Sequence, residues 1–245
     1  MRFRAGRRLW WETRGRRSEL QFWAAWLAGA PGAEEWTSDR ERRFAPDAEV
    51  VDPLLCTEIE RLAKRELSVL DVGAGPVTKI GFRYPGTDLA IVAVDPLAKE
   101  YARLLAAAGL EPPVRTLPVA GEALLERFGP RRFDIAYANN SLDHSVDPLA
   151  IITNMVGVVR EGGSVILRHA RNEGEERRYE GLHQWNFDVA DGDLIVWNGA
   201  ATINVRSALR EQATVEAWID QHDDQGEVLA CLVVGRESLG SSPFE

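Results

Sequence analysis

Cysteine, histidine and long apolar runs are scarce in this chain of 245 residues. Its two cysteines, Cys56 and Cys231, lie far apart with no Cys-x-x-Cys pair, which argues against a disulfide framework and a zinc knuckle. Both read as core thiols. His144, His169 and His183 match no His-x-x-His or His-Glu-x-x-His spacing, so no metal is expected, although separated ligands do converge in some folds. No apolar stretch approaches the ~20 residues that span a bilayer, and no charged-then-apolar leader with a cleavage site opens the chain. The expectation is a cytoplasmic protein with no membrane partner. Nor is the charge that of a nucleic-acid binder. Residues 1–17 carry net +6, but the whole is −9, so the body holds −15 and repels phosphate. The basic arm is expected to dock on acidic protein surface, its own or a partner's. At 45% hydrophobic, the chain can bury one sizeable core and reads as one α/β domain with additions.

What the chain does have is a β-branched run ending in a glycine turn, 69–76 (Val-Leu-Asp-Val-Gly-Ala-Gly-Pro), answered by 91–96 (Ile-Val-Ala-Val-Asp-Pro). Gly73 and Gly75 allow a sharp turn and close approach of backbone to a ligand. A dinucleotide fingerprint wants a third glycine where Thr78 stands, and pyrophosphate resting on a helix N-terminus. Asp71 before the turn would repel phosphate and attract a sulfonium or ammonium, and Pro76 removes an amide from an anion nest. The loop is therefore expected to hold a cationic nucleoside. A nicotinamide-dependent oxidoreductase is the disfavoured alternative.

From 66 onward the chain alternates in the βα manner. Strands are expected at 67–71, 89–94, 114–117, 133–138 and 163–169, and helices at 77–82, 97–108, 121–128 and 147–159. Such alternation makes a doubly wound, mostly parallel sheet whose ligands sit at the carboxyl ends of its strands. Strand runs at 193–197, 214–219 and 227–234 follow, with a short helix near 205–211. The last two runs are joined by polar residues 223–226 that signal a hairpin. Ahead of the first strand, 18–29 has an N-cap serine, Leu20, Trp23 and Leu27 at helical spacing and a closing Gly29. Its tryptophans read as packing residues in preference to a pocket roof. Residues 30–46 read as linker plus short helix, and 53–64 as another helix.

The glycine turn and Asp95 together resemble the class I S-adenosylmethionine-dependent methyltransferases of the bacterial small-molecule type. The resemblance covers about 66–236. It implies a Rossmann-like, seven-stranded sheet ending in an antiparallel hairpin, with extra N-terminal helices. The implied division is a basic arm (1–17), a helical extension (18–65), a methyltransferase domain (66–236) and a tail (237–245). S-adenosylmethionine is the implied cofactor. Asp71, Gly73, Ala74, Gly75 and Pro76 would hold its amino-acid end, and Asp95 with Pro96 its ribose. Glu122 stands near where many relatives place an acid against the adenine amino group. The segment 133–148 resembles the family's fourth-strand motif, which puts Asn139 beside the cofactor and Asn140 toward the acceptor.

Two segments suggest where the chemistry lies. Asp143 and His144 form a titratable pair in the loop after that strand, and Asp147-Pro148 reads as a helix N-cap. The segment 169–190 carries His169, Tyr179, His183, Gln184 and Trp185; it is too polar for core and too aromatic for a linker, and reads as an acceptor-binding loop. Where the acceptor must lose a proton, His144 is the first candidate base, with Asp143 orienting it, and His183 the second. The expected function is in-line transfer of methyl to oxygen or nitrogen of a small molecule, a sugar or secondary metabolite. The chain is expected to bind no nucleic acid, and to be a monomer or homodimer. The other reading is a non-catalytic module that binds the cofactor and regulates a partner.

Overall fold

The N-terminal helices wrap a sheet whose first strand is the run that ends in the glycine turn. The structure, a computed structural model, describes residues 15–29, 37–221 and 225–235; residues 1–14 of the basic arm, the tail and half of the expected hairpin turn lie outside these. Helix α1 (Arg16–Ala28) begins two residues ahead of Ser18, so the serine falls in the first turn and is not the cap. It ends as expected on left-handed Gly29, whose N–H reaches the carbonyls of Ala25 and Trp26. Then come α2 (Thr37–Phe44) and α3 (Pro53–Leu62), the latter capped by Asp52 with proline in its first turn.

Strands β1 (Glu66–Val72) and β2 (Asp88–Val94) are followed by α4 (Ala98–Ala108), the short α5 (Leu124–Phe128), β3 (Phe133–Asn139), α6 (Pro148–Val158) and β4 (Val159–Ala170). After the one-turn α7 (Glu173–Glu176) come β5 (Asn186–Ala190), β6 (Asp193–Asn198), β7 (Ala201–Asn204), α8 (Val205–Leu209), β8 (Ala213–Asp220) and β9 (Glu227–Val234). The main sheet runs β2-β1-β3-β4-β9-β8, with the first four strands parallel and β9 antiparallel to both its neighbours. Strands β5, β6 and β7 make a separate antiparallel sheet, and β7 had no counterpart in the sequence reading.

Among the described residues the main sheet thus has six strands, not seven. Residues 114–117 add only one bridge, Leu117 to Val94. Pro112, Pro113 and Pro118 enclose them, and proline can neither donate to a ladder nor continue one. The expected helix at 77–82 is also absent. Its backbone is drawn aside to pair with the chain ahead of α3, Phe82 N–H donating to Ala48 O at 2.7 Å and Val50 N–H to Arg83 O at 2.9 Å. Gly81 sits at φ +93°, where only glycine is at ease. No helix N-terminus therefore faces the glycine turn from this segment, which removes the usual seat for pyrophosphate. The expected loop at 169–190 is partly regular, since its two ends belong to β4 and β5 and α7 lies between.

Period-two alternation sorts the core. Leu67, Val69, Ile135, Tyr137 and Ile166 meet Leu55 and Ile59 of α3 on one face. Leu70, Val72, Ala136, Ala138, Val165 and Leu167 meet Ile151, Ile152, Met155 and Val156 of α6 on the other. At the lower end of the sheet Asp134 accepts from Lys64 Nζ at 2.6 Å and from Ser68 N and Oγ at 2.8 and 2.7 Å, with Arg160 Nη1 at 3.0 Å. Burial pushes its carboxyl up, but these donors win and hold it down at about 2. Its contribution is therefore complete above the unfolded value of about 4 and fades as pH falls through about 2. Lys64 and Arg160 remain partly exposed and can regain water. Asp134→Asn should then lower stability at neutral pH by about 1–3 kcal/mol in urea unfolding, with the gap from the parent narrowing below about pH 4.

Candidate active site

At the carboxyl ends of β1, β2, β3 and β4 lies a cleft of about 1790 Å³, larger than a single small ligand needs. The glycine turn forms its floor. Gly73 (φ +74°) and Gly75 (φ +65°) adopt conformations L-residues rarely take. A Cβ on Gly73 would come 2.5 Å from the Ser141 side chain, and one on Gly75 would come 2.7 Å from the Trp23 ring. Trp23 of α1 thus lies against the turn while also packing edge-on to Trp26 and Tyr101. It is both the packing residue the sequence suggested and part of the cleft wall.

Three acids end the strands, in three different states. Asp95, after β2, accepts from Leu97 N at 2.8 Å and Gly75 N at 3.2 Å. Burial pushes its carboxyl up to about 7, with these amides and His144 opposing and Glu19 adding to the rise. Asp71, in β1, accepts from Thr78 Oγ1 at 2.6 Å. Burial pushes it up to about 6, against Thr78, Arg43 and Lys79. Asp143, only 2% exposed, is driven up by burial but pulled below the ordinary carboxylate value by His144 and His183.

The Asp143 cluster joins two loops about forty residues apart. Asp143 and His144 lie in a 3₁₀ turn after β3 (Leu142–His144), and His183 in the turn before β5. Gln184 N donates to Asp143 O at 3.0 Å and Trp185 Nε1 to Ser145 O at 3.1 Å, which fastens one loop to the other. His183 Nδ1 lies 2.8 Å from Asp143 Oδ2 and 3.1 Å from His144 Nε2. His144 Nε2 is 3.4 Å from the same carboxylate oxygen. Burial lowers the His144 pKa, but Asp143, Glu19 and Glu173 outweigh it and raise it. Glu19 of α1 stands 3.6 Å from His144 Nδ1, and Glu173 of α7 stands 3.7 Å from His183 Nδ1.

Of the residues singled out from sequence, Asp71, Gly73, Ala74, Gly75, Asp95, Pro96, Glu122, Asn139, Asn140, His144 and His183 all line the cleft. Pro76 is buried behind the turn. Asn139 donates to Tyr137 Oη at 3.0 Å, and Asn140 donates to Glu173 Oε2 at 2.8 Å. The other expected acceptor contacts, His169, Tyr179, Gln184 and Trp185, are not among the residues that line the cleft. His169 is 1% exposed and stacks on Phe187 with centroids 3.9 Å apart; burial pushes it down to about 4. Trp185 is buried, and Gln184 Nε2 donates to Tyr179 O at 2.9 Å. They brace the loop because β4 and β5 carry His169 and the residues after Trp185 into the core.

Sequence reading passed over Glu19, Arg43, Lys79 and Glu173, which also line the cleft. Glu19 and Trp23 share a helix face at i, i+4, with Trp23 Nε1 donating to Glu19 at 2.7 Å. That spacing was a usable signal. Arg43 bonds Asp39 at 2.7 Å and faces the rings of Trp23 and Trp26, and no local pattern announces it.

Residues 70–167 match the family model described as a methyltransferase domain. No curated protein matches the chain. Among solved structures, it is similar to a Haloferax volcanii methyltransferase in complex with a methyltransferase activator (14% identity, TM-score 0.51, covering 90% of this chain and 97% of that one). It is also similar to the Burkholderia thailandensis 1,6-didemethyltoxoflavin-N1-methyltransferase with bound S-adenosylhomocysteine (16%, 0.45, 88% and 90%). A third similar structure is the carbon methyltransferase CurJ (13%, 0.49, 75% and 52%), of which this chain spans about half the length. Residues 70–167 thus carry a methyltransferase domain, and the fold is that of the Rossmann-like Haloferax structure, which weighs against the oxidoreductase alternative.

The close approach of α1 to the turn is directly testable. Gly75→Ala should push the Trp23 ring away, raising hydrogen exchange in 16–28 while amides of β1 stay protected. Unchanged exchange in α1 would show that the ring does not rest on the turn.

Proposed function

We propose that the chain methylates oxygen or nitrogen of a small molecule by in-line displacement, with the cofactor along the β1–β2 side of the cleft and the acceptor beside Asp143, His144 and His183. The observation that carries this reading is that one cleft joins a cofactor-like end to a titratable end. The cofactor supplies a methyl group on a cationic sulfur. Its chemistry suits the residues present. Asp95 is a buried carboxylate at the end of β2, placed to accept from ribose hydroxyls. Asp71 beside Arg43 and Lys79 offers one anion and two cations to the ammonium and carboxylate of an amino acid. Glu122 also lines the cleft and is the residue we assign to the adenine amino group.

At the other end, geometry reverses the order of the two candidate bases. His183 Nδ1 takes the short contact to Asp143, which leaves its Nε2 for an acceptor, whereas both nitrogens of His144 face acidic or imidazole groups. His183 is accordingly the residue that receives the acceptor's proton, and Asp143 orients it. Asn140 and Glu173 shape the space between. The buried, mutually bonded cluster favours chemistry over a purely regulatory module, because such an arrangement does nothing for cofactor binding alone.

Two outcomes are expected. His183→Ala should lower kcat by about 10²- to 10⁴-fold while S-adenosylhomocysteine affinity changes little. Turnover equal to the parent, once an acceptor is found, would remove it from the mechanism. Because ribose hydroxyls need an ionised acceptor, cofactor affinity should fall as pH drops below about 7, by up to tenfold per unit. Asp95→Asn should abolish that slope and weaken binding, as read by calorimetric titration; a slope that persists in the variant would place the ribose elsewhere.

A further inference from the structure

We propose that His144, His183 and Asp143 form a binding site for one divalent first-row transition ion, with Glu173 alongside. The proposal deepens the acceptor side of the function above, and rests on it only for what the ion does.

The three donor atoms make a triangle, with Asp143 Oδ2 to His183 Nδ1 2.8 Å, His183 Nδ1 to His144 Nε2 3.1 Å, and His144 Nε2 to Asp143 Oδ2 3.4 Å. Ligands about 2.0–2.1 Å from a tetrahedral ion stand ~3.3 Å from one another. An ion equidistant from these three atoms at that bond length would lie ~1 Å off their plane. The triangle is thus already the size of a coordination face, although the three residues come from two loops and their spacing in sequence gives no hint of it.

Protons satisfy this arrangement poorly. If both inward nitrogens carry hydrogen, the two N–H groups must share the one Asp143 Oδ2, at 2.8 and 3.4 Å, with the nitrogens crowded to 3.1 Å. If only His183 does, His144 Nε2 turns a lone pair toward a carboxylate oxygen at 3.4 Å. Either way one contact is repulsive, whereas a cation attracts all three lone pairs. The second oxygen of Asp143 adds to this, being enclosed with no hydrogen-bond partner among the described residues. Glu19, Asp143 and Glu173 surround the imidazoles, and Arg177, 3.7 Å from Glu173, is largely exposed. The surroundings are also those of a ligand set held in place. Glu19 lies on the outward nitrogen of His144, Asn140 donates to Glu173, and the Gln184 amide anchors the Asp143 backbone.

Two imidazoles and a carboxylate select zinc, cobalt, iron or manganese ahead of magnesium or calcium, which prefer oxygen alone. The site lines the cleft through both histidines, so an ion there keeps a position open to an acceptor hydroxyl and lowers its pKa. With Nδ1 on the ion, His183 carries its hydrogen on Nε2, so the ion replaces it as the activating group and the hydroxyl proton is released to water. The acceptor class is then a hydroxyl-bearing molecule, methylated on oxygen.

The test uses the full chain, freed of metal with a chelator and titrated with Co²⁺, whose visible absorption reports nitrogen and oxygen ligation. S-adenosylhomocysteine binding is measured on the same samples. One equivalent of Co²⁺ should give an intense low-symmetry spectrum that Zn²⁺ displaces and Mg²⁺ does not. His183→Ala and His144→Gln should each weaken Co²⁺ binding more than about 100-fold while S-adenosylhomocysteine binding, and hence the fold, is retained. A parent that binds S-adenosylhomocysteine but shows only the spectrum of aqueous Co²⁺ would overturn the metal site and leave the methyltransferase reading standing. A Co²⁺ spectrum undiminished in the double variant would also overturn it. Stoichiometric Co²⁺ lost on substitution, in a chain that ignores S-adenosylhomocysteine, would support the site and count against the proposed reaction instead.

Discussion

Positions 73 and 75 must be free of Cβ atoms because the turn is pressed from two directions. Ser141, at the end of β3, sits on one glycine, and Trp23, from the first helix, sits on the other. The contact on Gly73 sets where the β3 loop starts, and hence where Asp143 and His144 fall. The contact on Gly75 sets where α1 lies, and hence where Glu19 meets His144. A tight turn at the end of one strand therefore positions groups from three separate parts of the chain around one cleft.

Burial of carboxylates is the energetic theme of that cleft. Desolvation alone would neutralise all of them, and what differs is the compensation. Asp95 has two backbone amides and rises to about 7, while Asp71 has a threonine hydroxyl and nearby cations and rises to about 6. Asp143 has two imidazoles and stays low. Burial thus raises two acids toward neutrality, where a cationic or hydroxyl-rich ligand would favour their ionised form, and a third is committed to its histidines. The same cost, met by different partners, gives one cleft two ends of unlike character.

Much of the fold was legible because it rests on local patterns. The apolar runs at 67–71 and 133–138 marked two strands, and Asp147-Pro148 marked a helix start. The failures also have local causes read too lightly. Prolines on both sides of 114–117 cut a strand to one bridge, and Gly81 turned an expected helix into a segment that pairs elsewhere. The cofactor side was legible because contiguous residues carry it. The acceptor side was legible as composition only. That His183 would reach Asp143 while His169 would stack on Phe187 depends on which strand end each occupies, which no spacing within 169–190 encodes. Arg43 and Lys79 reach the cleft only through tertiary placement of α2 and of the turn after β1.

The way the second sheet is threaded has a bearing on how such a protein diversifies. The chain leaves the main sheet at Ala170 and rejoins it at Ala213, yet β4 pairs directly with β9 and not with anything between. Residues 171–212 are thus an insertion that interrupts no pairing of the main sheet, although Phe187, Leu194, Val196, Val205 and Leu209 pack into the core beside it. That insertion brings His183, Glu173 and Arg177 to the cleft, while the donor-binding half comes from elsewhere. Varying its cleft-facing residues while keeping the packed ones would amount to changing the tool and keeping the handle.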